Sequence, residues 1–212
     1  MKRISLLLLL IVVACGSVLA QNKALSLDGD GDYMKVADSS NTLASSFSDS
    51  ITVSAWVNAT TLKNSCILHK KGFDNNDVFF GIWNGGKDFS IQFRFDREDD
   101  PTPDFDFPFS SDFIPKTWYH FAAIFDSPAN QIRCYVDGEE IATQTVSGKL
   151  NFEASQAWYI GIDTDYNGTE LNDNWIGQLD EVRVWNVAKT QDEIQSVMGL
   201  TCLLYTSDAA DE

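Results

Sequence analysis

WYHFAAIFDSPANQIRCYVDGEEIA, residues Trp118 to Ala142, decides the fold. Its first run is apolar on both alternating sets, His120, Ala122 and Ile124 on one and Phe121, Ala123 and Phe125 on the other. After a Ser-Pro-Ala-Asn break, Ile132, Cys134 and Val136 alternate with Arg133, Tyr135 and Asp137, and Asp137-Gly138 interrupts before Glu140-Ile141-Ala142. Period-two alternation marks a strand. Asp-Gly between two such runs marks a hairpin, because its favoured turn needs positive φ at both central residues. The stretch therefore predicts three consecutive antiparallel strands. The first has no polar face and needs a layer on each side, which places it in the middle of an all-β domain.

Working outward, the rest of the chain is a β series. Strands are expected at 24–28 and 32–37 around a Gly29-Asp30-Gly31 turn, then at 51–58, 66–70, 78–83, 89–95, 157–162 and 175–186, with turn residues in the gaps. The exception is Thr190-Gln-Asp-Glu193, a capping box that opens a short helix with Ile194, Val197 and Met198 on its apolar side. Residues 96–109, with three prolines and four acidic residues among the first five positions, lack a period and read as a loop. Their phenylalanines argue that this loop folds back onto the sandwich.

The ends carry different information. Met1 to Ala20 has Lys2 and Arg3, an apolar run too short to span a bilayer, and small residues before Gln21, so residues 1–20 are expected to be a secretory signal peptide. Val12-Val13-Ala14-Cys15 also resembles a bacterial lipobox, which would leave a lipid-bearing Cys15. Secretion or cell-surface display follows from either reading. Residues 202–212, Cys202 to Glu212, resemble a translated sequencing adapter and stay out of the fold reasoning. Residues 21–201 then form one domain, with further domains expected beyond Thr201. The formal net charge is −16, which argues against nucleic acid and anionic membrane surfaces as partners. Of the cysteines inside the domain, Cys134 is in phase with Ile132 and Val136 and faces the core, while Cys66 opens an apolar run. A bridge between them and two unpaired buried thiols are both open.

Trp118-Tyr-His-Phe-Ala, Cys134-Tyr-Val-Asp-Gly-Glu, Trp158-Tyr-Ile-Gly and Gly177-Gln-Leu-Asp-Glu-Val-Arg-Val-Trp, in this order, resemble the laminin G-like jelly-roll family of the concanavalin A-like class. Ser26-Leu-Asp-Gly-Asp-Gly-Asp-Tyr and Ile51-Thr-Val-Ser-Ala-Trp-Val fit the same pattern, so the resemblance covers residues 24 to 198. It implies an all-β, two-sheet antiparallel jelly-roll sandwich with one short C-terminal helix. It also implies that the first and last long strands meet, and that a structural Ca²⁺ sits near these motifs.

Two sets of site residues emerge. Asp32 is in phase with Met34 and Val36, and Asp180 with Val182 and Val184, so both carboxylates are expected on the core side at strand ends. Two buried carboxylates side by side require a proton or a cation between them. With Asp28, Asp30 and the carbonyls of the Gly29 to Gly31 turn, the oxygen-only set suits calcium. The competing reading is that Asp32 caps its turn and Asp180 accepts backbone N–H groups. For a sugar, Trp56, Arg94, Arg183 and Trp185 are out of phase with the core and offer flat rings and bidentate donors on an open sheet face. Cross-strand pairing is the competing role for each of them.

Catalysis has little support. Sandwich glycosidases of this class carry Glu-x-Asp-x-x-Glu on one strand, and no such cluster occurs here; Asp180-Glu181 puts its carboxylates on opposite faces. His69 and His120 lie in apolar strands without a nucleophile elbow. The sequence therefore points to a non-catalytic extracellular binding module for carbohydrate recognition or adhesion, stabilised by calcium, its partner a glycan or a surface protein. The alternatives are a structural or protein-interaction domain of a larger secreted protein that binds no sugar, and an accessory part of a polysaccharide-degrading enzyme.

Overall fold

The computed structural model describes residues 24–38, 43–71, 76–84, 89–97, 104–109, 113–152, 157–164 and 171–199. The expected leader, Cys15 and residues 202–212 lie outside the described residues. Fourteen strands and one α-helix are described. One six-stranded sheet has the spatial order β1 (Leu25–Leu27), β14 (Gly177–Trp185), β3 (Ser50–Ala59), β8 (Tyr119–Asp126), β9 (Gln131–Val136) and β10 (Glu139–Thr145). The other runs β2 (Met34–Val36), β11 (Trp158–Ile160), β4 (Ser65–Lys71), β5 (Asn76–Asn84), β6 (Phe89–Phe95) and β7 (Asp104–Pro108). The short β12 (Asp163–Thr164) and β13 (Leu171–Asn172) pair with each other, and α1 spans Gln191–Met198. Every strand pairing is antiparallel, as the jelly roll requires.

β8 lies inside the first sheet, buried on both faces. Phe121, Ala123 and Phe125 point into the core between the sheets, against residues such as Phe80, Phe93 and Phe95 of the second sheet. Ala122 and Ile124 point the other way and, with Tyr135, pack beneath Ile194 of α1. The helix is thus the outer layer that the sequence of β8 demands. Its start is the expected capping box, Thr190 and Glu193 bonding each other's backbone. Two of its last-turn carbonyls, which lack the i+4 partner of the helix interior, accept from side chains of the sheet. The Trp56 indole N–H donates to Met198 O at 3.1 Å, and the Arg183 guanidinium donates to Val197 O at 2.9 Å. The β9–β10 hairpin turns through Asp137 (φ 50°) and Gly138 (φ 78°), the two positive-φ residues expected there. The side-chain amides of Gln191 and Gln195 both donate to the Gly138 carbonyl.

Three expectations are corrected. Residues 104–108 of the anticipated loop form an edge strand, since Phe105 and Phe107 alternate into the core while Asp106 stays exposed; the loop does fold back, as its phenylalanines suggested. Asp32 is exposed, and Met34 and Val36 beyond it are 44% and 39% exposed, so that stretch has no core side for the carboxylate to share. Asp180 faces outward as well. A bulge lets Asp180 and Arg183 sit opposite Trp56 and Ser54, four residues against three, with Glu181 at φ 50°. The extra residue reverses the phase, so Val182 and Val184 point inward while Asp180 and Arg183 share the outer face. The cysteines are both free and buried. Cys134 belongs to the core cluster, whereas Cys66, level with Gly81 and Gln92, faces outward on the other sheet, so the two cannot bridge.

Two outcomes are expected for stability. A Cβ on Gly177, at φ 136°, would lie 2.0 Å from the Asn58 carbonyl oxygen, backbone that cannot step aside. Gly177→Ala is expected to cost about 2–4 kcal/mol in denaturant unfolding, while Gly199→Ala, with nothing near it, leaves the midpoint unchanged. His120 is fully buried and stacked edge-on against Trp56 at 5.4 Å. Burial, and secondarily the charge on Arg183, push its pKa down to about 4 from its ordinary 6.5. The unfolded chain then binds the proton more tightly, so stability is full above pH 6.5, is lost as pH falls towards 4, and levels off below. The slope approaches about 1.4 kcal/mol per pH unit. The stability difference between the parent and His120→Leu is expected to change across this window; parallel pH profiles would refute the assignment.

Candidate functional site

The two outer faces of the sandwich have different fates. That of the first sheet carries Trp56, His120, Asp180 and Arg183 beneath or beside α1. Trp56 and Arg183 are spent on the end of the helix, and Arg183 also pairs with Glu181. Cross-strand and capping roles therefore replace the ligand role expected for these two. Trp185 is half-buried at the end of β14, with the Lys189 ammonium 5.9 Å from its ring. Arg94 is on the other sheet, so the four expected ligand residues do not meet.

The four expected metal ligands do not meet either. β1 does pair with β14, as anticipated, with Leu25 opposite Leu179 and Leu27 opposite Gly177. The antiparallel register puts the turn after Leu27 at one end of this ladder and Asp180 at the other, four residues or about 13 Å along β14 from the position facing Asp28. Asp32 leads into β2, which belongs to the opposite sheet. Asp28 accepts the Asp30 backbone N–H at 2.8 Å, and Asp180 accepts the Glu181 N–H at 2.9 Å. No group of three or more metal-ligating side chains occurs among the described residues. The four aspartates do not fit the anticipated calcium ion, because no two elements bring their carboxylates to one point.

The outer face of the second sheet presents a built surface. One register row crosses five strands: Lys35, Tyr159, His69, Phe79 and Arg94. The next row includes Cys66, Gly81, Gln92 and Asp106, and Trp83 comes after it on β5. The Arg94 guanidinium lies 4.3 Å from the centre of the fully buried Phe79 ring and 5.8 Å from that of half-buried Trp83. Gly81 between the two rings makes room, since a Cβ there would lie 3.0 Å from Phe79 and 2.4 Å from the Ser65 carbonyl oxygen. Gln92 donates to Asp106 at 2.9 Å. His69 is fully buried, its Nδ1 3.0 Å from Asp163 and 3.3 Å from the Thr164 amide, so β12 closes over that end of the row.

Charge in this region is balanced by position. Burial raises the Asp173 carboxyl above its ordinary range, against the pull of Arg94 and Lys63. Burial, then Asp163 and Asp173, push the Cys66 thiol well up, which keeps it protonated and unreactive. The surface therefore offers a fixed, partly exposed guanidinium among aromatic rings, bordered by carboxylates. Phe79, Trp83 and Asp173 were missed from sequence. The signal for the first two was present, because Phe79, Gly81 and Trp83 alternate with the core-facing Val78, Phe80 and Ile82.

Known proteins share this architecture. The protein is similar to a heptameric SAP-like pentraxin from Limulus polyphemus, at 13% identity and TM-score 0.64 over 81% of this chain and 79% of that one. It is similar to domain 4 of an extracellular GH43 arabinanase from Geobacillus stearothermophilus, solved with arabinotriose, at 17% identity and TM-score 0.60 over 82% and 75% of the two chains. It also resembles the Ruminococcus gnavus IT-sialidase CBM40 bound to α2,3 sialyllactose, at 13% identity and TM-score 0.58 over 84% and 96%. Mouse pappalysin-1 is 30% identical over 88 residues, 41% of this chain and 5% of that protein's length. No described helix is long and apolar enough to cross a membrane. The family description "Concanavalin A-like lectin/glucanases superfamily", under the family name Laminin_G_3, matches residues 28–195. The chain is a member of that laminin G-like family.

Proposed function

We propose that this domain is a non-catalytic carbohydrate-recognition module acting outside the cell, and that its glycan seats on the outer face of the second sheet at Arg94. The observation that carries the proposal is the guanidinium of Arg94, pinned over Phe79 and beside Trp83 on the face that α1 does not cover. A side chain that is already stacked costs little to order on binding. Its N–H groups donate to sugar hydroxyls, and Trp83 offers an apolar surface to a pyranose face. The bordering carboxylates of Asp106 and Asp173 accept from hydroxyls. Together with the net charge of −16, they select neutral sugars over acidic ones, whose carboxylates would be repelled. Two of the similar structures were solved with arabinotriose and sialyllactose, which supports a glycan as the class of ligand. The Asp180-Glu181 acid pair is occupied by a backbone N–H and by Arg183, which supports binding without hydrolysis.

Affinity electrophoresis on neutral polysaccharides, followed by titration with the oligosaccharide that retards the domain, tests this. Arg94→Ala is expected to weaken binding by about 10- to 100-fold, what charge-assisted hydrogen bonds of roughly 1.5–3 kcal/mol are worth. Trp83→Ala is expected to weaken it by a similar factor. Trp56→Ala lowers the melting temperature through the lost helix contact but leaves affinity intact. Retardation by no glycan, or full affinity in Arg94→Ala, overturns the proposal and favours a protein-interaction role. Release of shortened sugars would reinstate the enzymatic alternative.

A further inference from the structure

The pairing of cation and ring at Arg94 occurs a second time, at the far end of the same register row. There Lys35 of β2 lies directly across from Tyr159 of β11, and its ammonium stands 5.4 Å from the centre of the Tyr159 ring. Tyr33, two residues earlier in the chain, sets its ring 5.8 Å from that of Tyr159 at an angle of 53°. Tyr159 is 8% exposed, whereas Tyr33 is 43% exposed and Lys35 is exposed as well. One ring is thus a buried support and the other an open platform, as Phe79 and Trp83 are beside Arg94. Among the described residues no carboxylate pairs with Lys35. Four strand spacings, about 19 Å, separate the two ends of the row. Asp163 and Thr164 hold His69 between them. The core-side residues of the same edge, Val36 and Ile160, wall an apolar cleft of about 400 Å³ with Val182 and Val184, and take no part in this outer surface.

With the Arg94 surface taken as a glycan site, we propose that Tyr33 and Lys35 form a second, weaker one, and that the two together hold a polysaccharide at two points. The exposed Tyr33 ring offers an apolar surface to one face of a sugar, and the Lys35 ammonium donates to its hydroxyls. Both pack on Tyr159, so part of their ordering cost is met before binding. The site is the weaker of the two because an ammonium on a flexible stem is a compact, strongly hydrated charge, where the Arg94 guanidinium is a planar fork of donors. A short oligosaccharide at one end does not reach the other across about 19 Å, so the two sites fill independently. A polymer reaches both, and its second contact forms at the effective concentration that the first one sets.

Calorimetric titration of the whole protein with arabinotriose, xylotriose, mannotriose and laminaritriose, beside affinity electrophoresis in arabinan, xylan, mannan and laminarin, tests the proposal. For the trisaccharide of a polymer that retards the protein, the expected result is two sites per chain, the second about tenfold weaker than the first. Tyr33→Ala, at an exposed position, is expected to remove the weak site, leave the tight one unchanged and reduce affinity for the polymer by at least about tenfold. Lys35→Ala acts in the same direction, and Arg94→Ala leaves only the weak site. A single site in the parent that Arg94→Ala weakens, or polymer affinity unchanged in Tyr33→Ala, overturns the second site and leaves the first standing. Two sites that both persist in Arg94→Ala, one of them lost in Tyr33→Ala, support the second site and overturn the reading of Arg94. Absence of binding by every trisaccharide and polymer overturns both.

Discussion

β8 has no polar face, and that constraint organises the molecule. An apolar strand buried on one side only would leave Ala122 and Ile124 against water, and the sheet would offer a sticky patch in place of a finished surface. The chain answers with α1, whose Ile194 is fully buried on those residues. Once the helix is needed there, its C-terminal carbonyls need donors. Trp56 and Arg183 are the outward-facing groups within reach. A demand set by the five apolar side chains from Phe121 to Phe125 thus determines which aromatic and basic residues are unavailable for a ligand.

The same logic leaves the other outer face clear of α1. Among the described residues no helix covers it, yet His69, Phe79, Gln92 and Cys66 on it are almost wholly buried. Their neighbours close it with polar and aromatic contacts instead of an apolar layer: His69 with Asp163, Gln92 with Asp106, Arg94 over Phe79. Such a surface is rigid without being greasy. That suits glycans, whose binding depends on fixed donors and acceptors and gains little from soft apolar area.

Most of the fold was legible because it is local. Alternation, the Asp137-Gly138 turn and the Thr190–Glu193 box each specify their element within a few residues, and each was found where the pattern placed it. What could not be read from the sequence was non-local. Period-two phase carries Asp180 to the core side only if β14 is regular, and nothing in Gly177-Gln-Leu-Asp-Glu-Val-Arg-Val-Trp announces that Glu181 takes φ 50° and shifts the count by one. The prolines of 96–109 concealed an edge strand because Pro108 stands at its end, where no ladder donor is lost. The candidate site divides in the same way. The outward phase of Arg94 was correct, but that it is the one expected ligand residue on the uncovered face depends on where α1 docks, which its own eight residues do not state.

The bulge at Glu181 also links features that sequence reading kept apart. Without it, Arg183 would point inward and Val182 outward. The guanidinium could not cap α1, and the two valines could not line the apolar side of the β1/β2 edge. The inserted residue therefore supports the helix cap on one face and opens a cleft on the other, at the cost of a non-glycine residue held at positive φ. Strain of this kind persists only where several surroundings enforce it. Here the Arg183 pair with Glu181, the Asp180 bond to the Glu181 amide and the β3 ladder all hold the same turn.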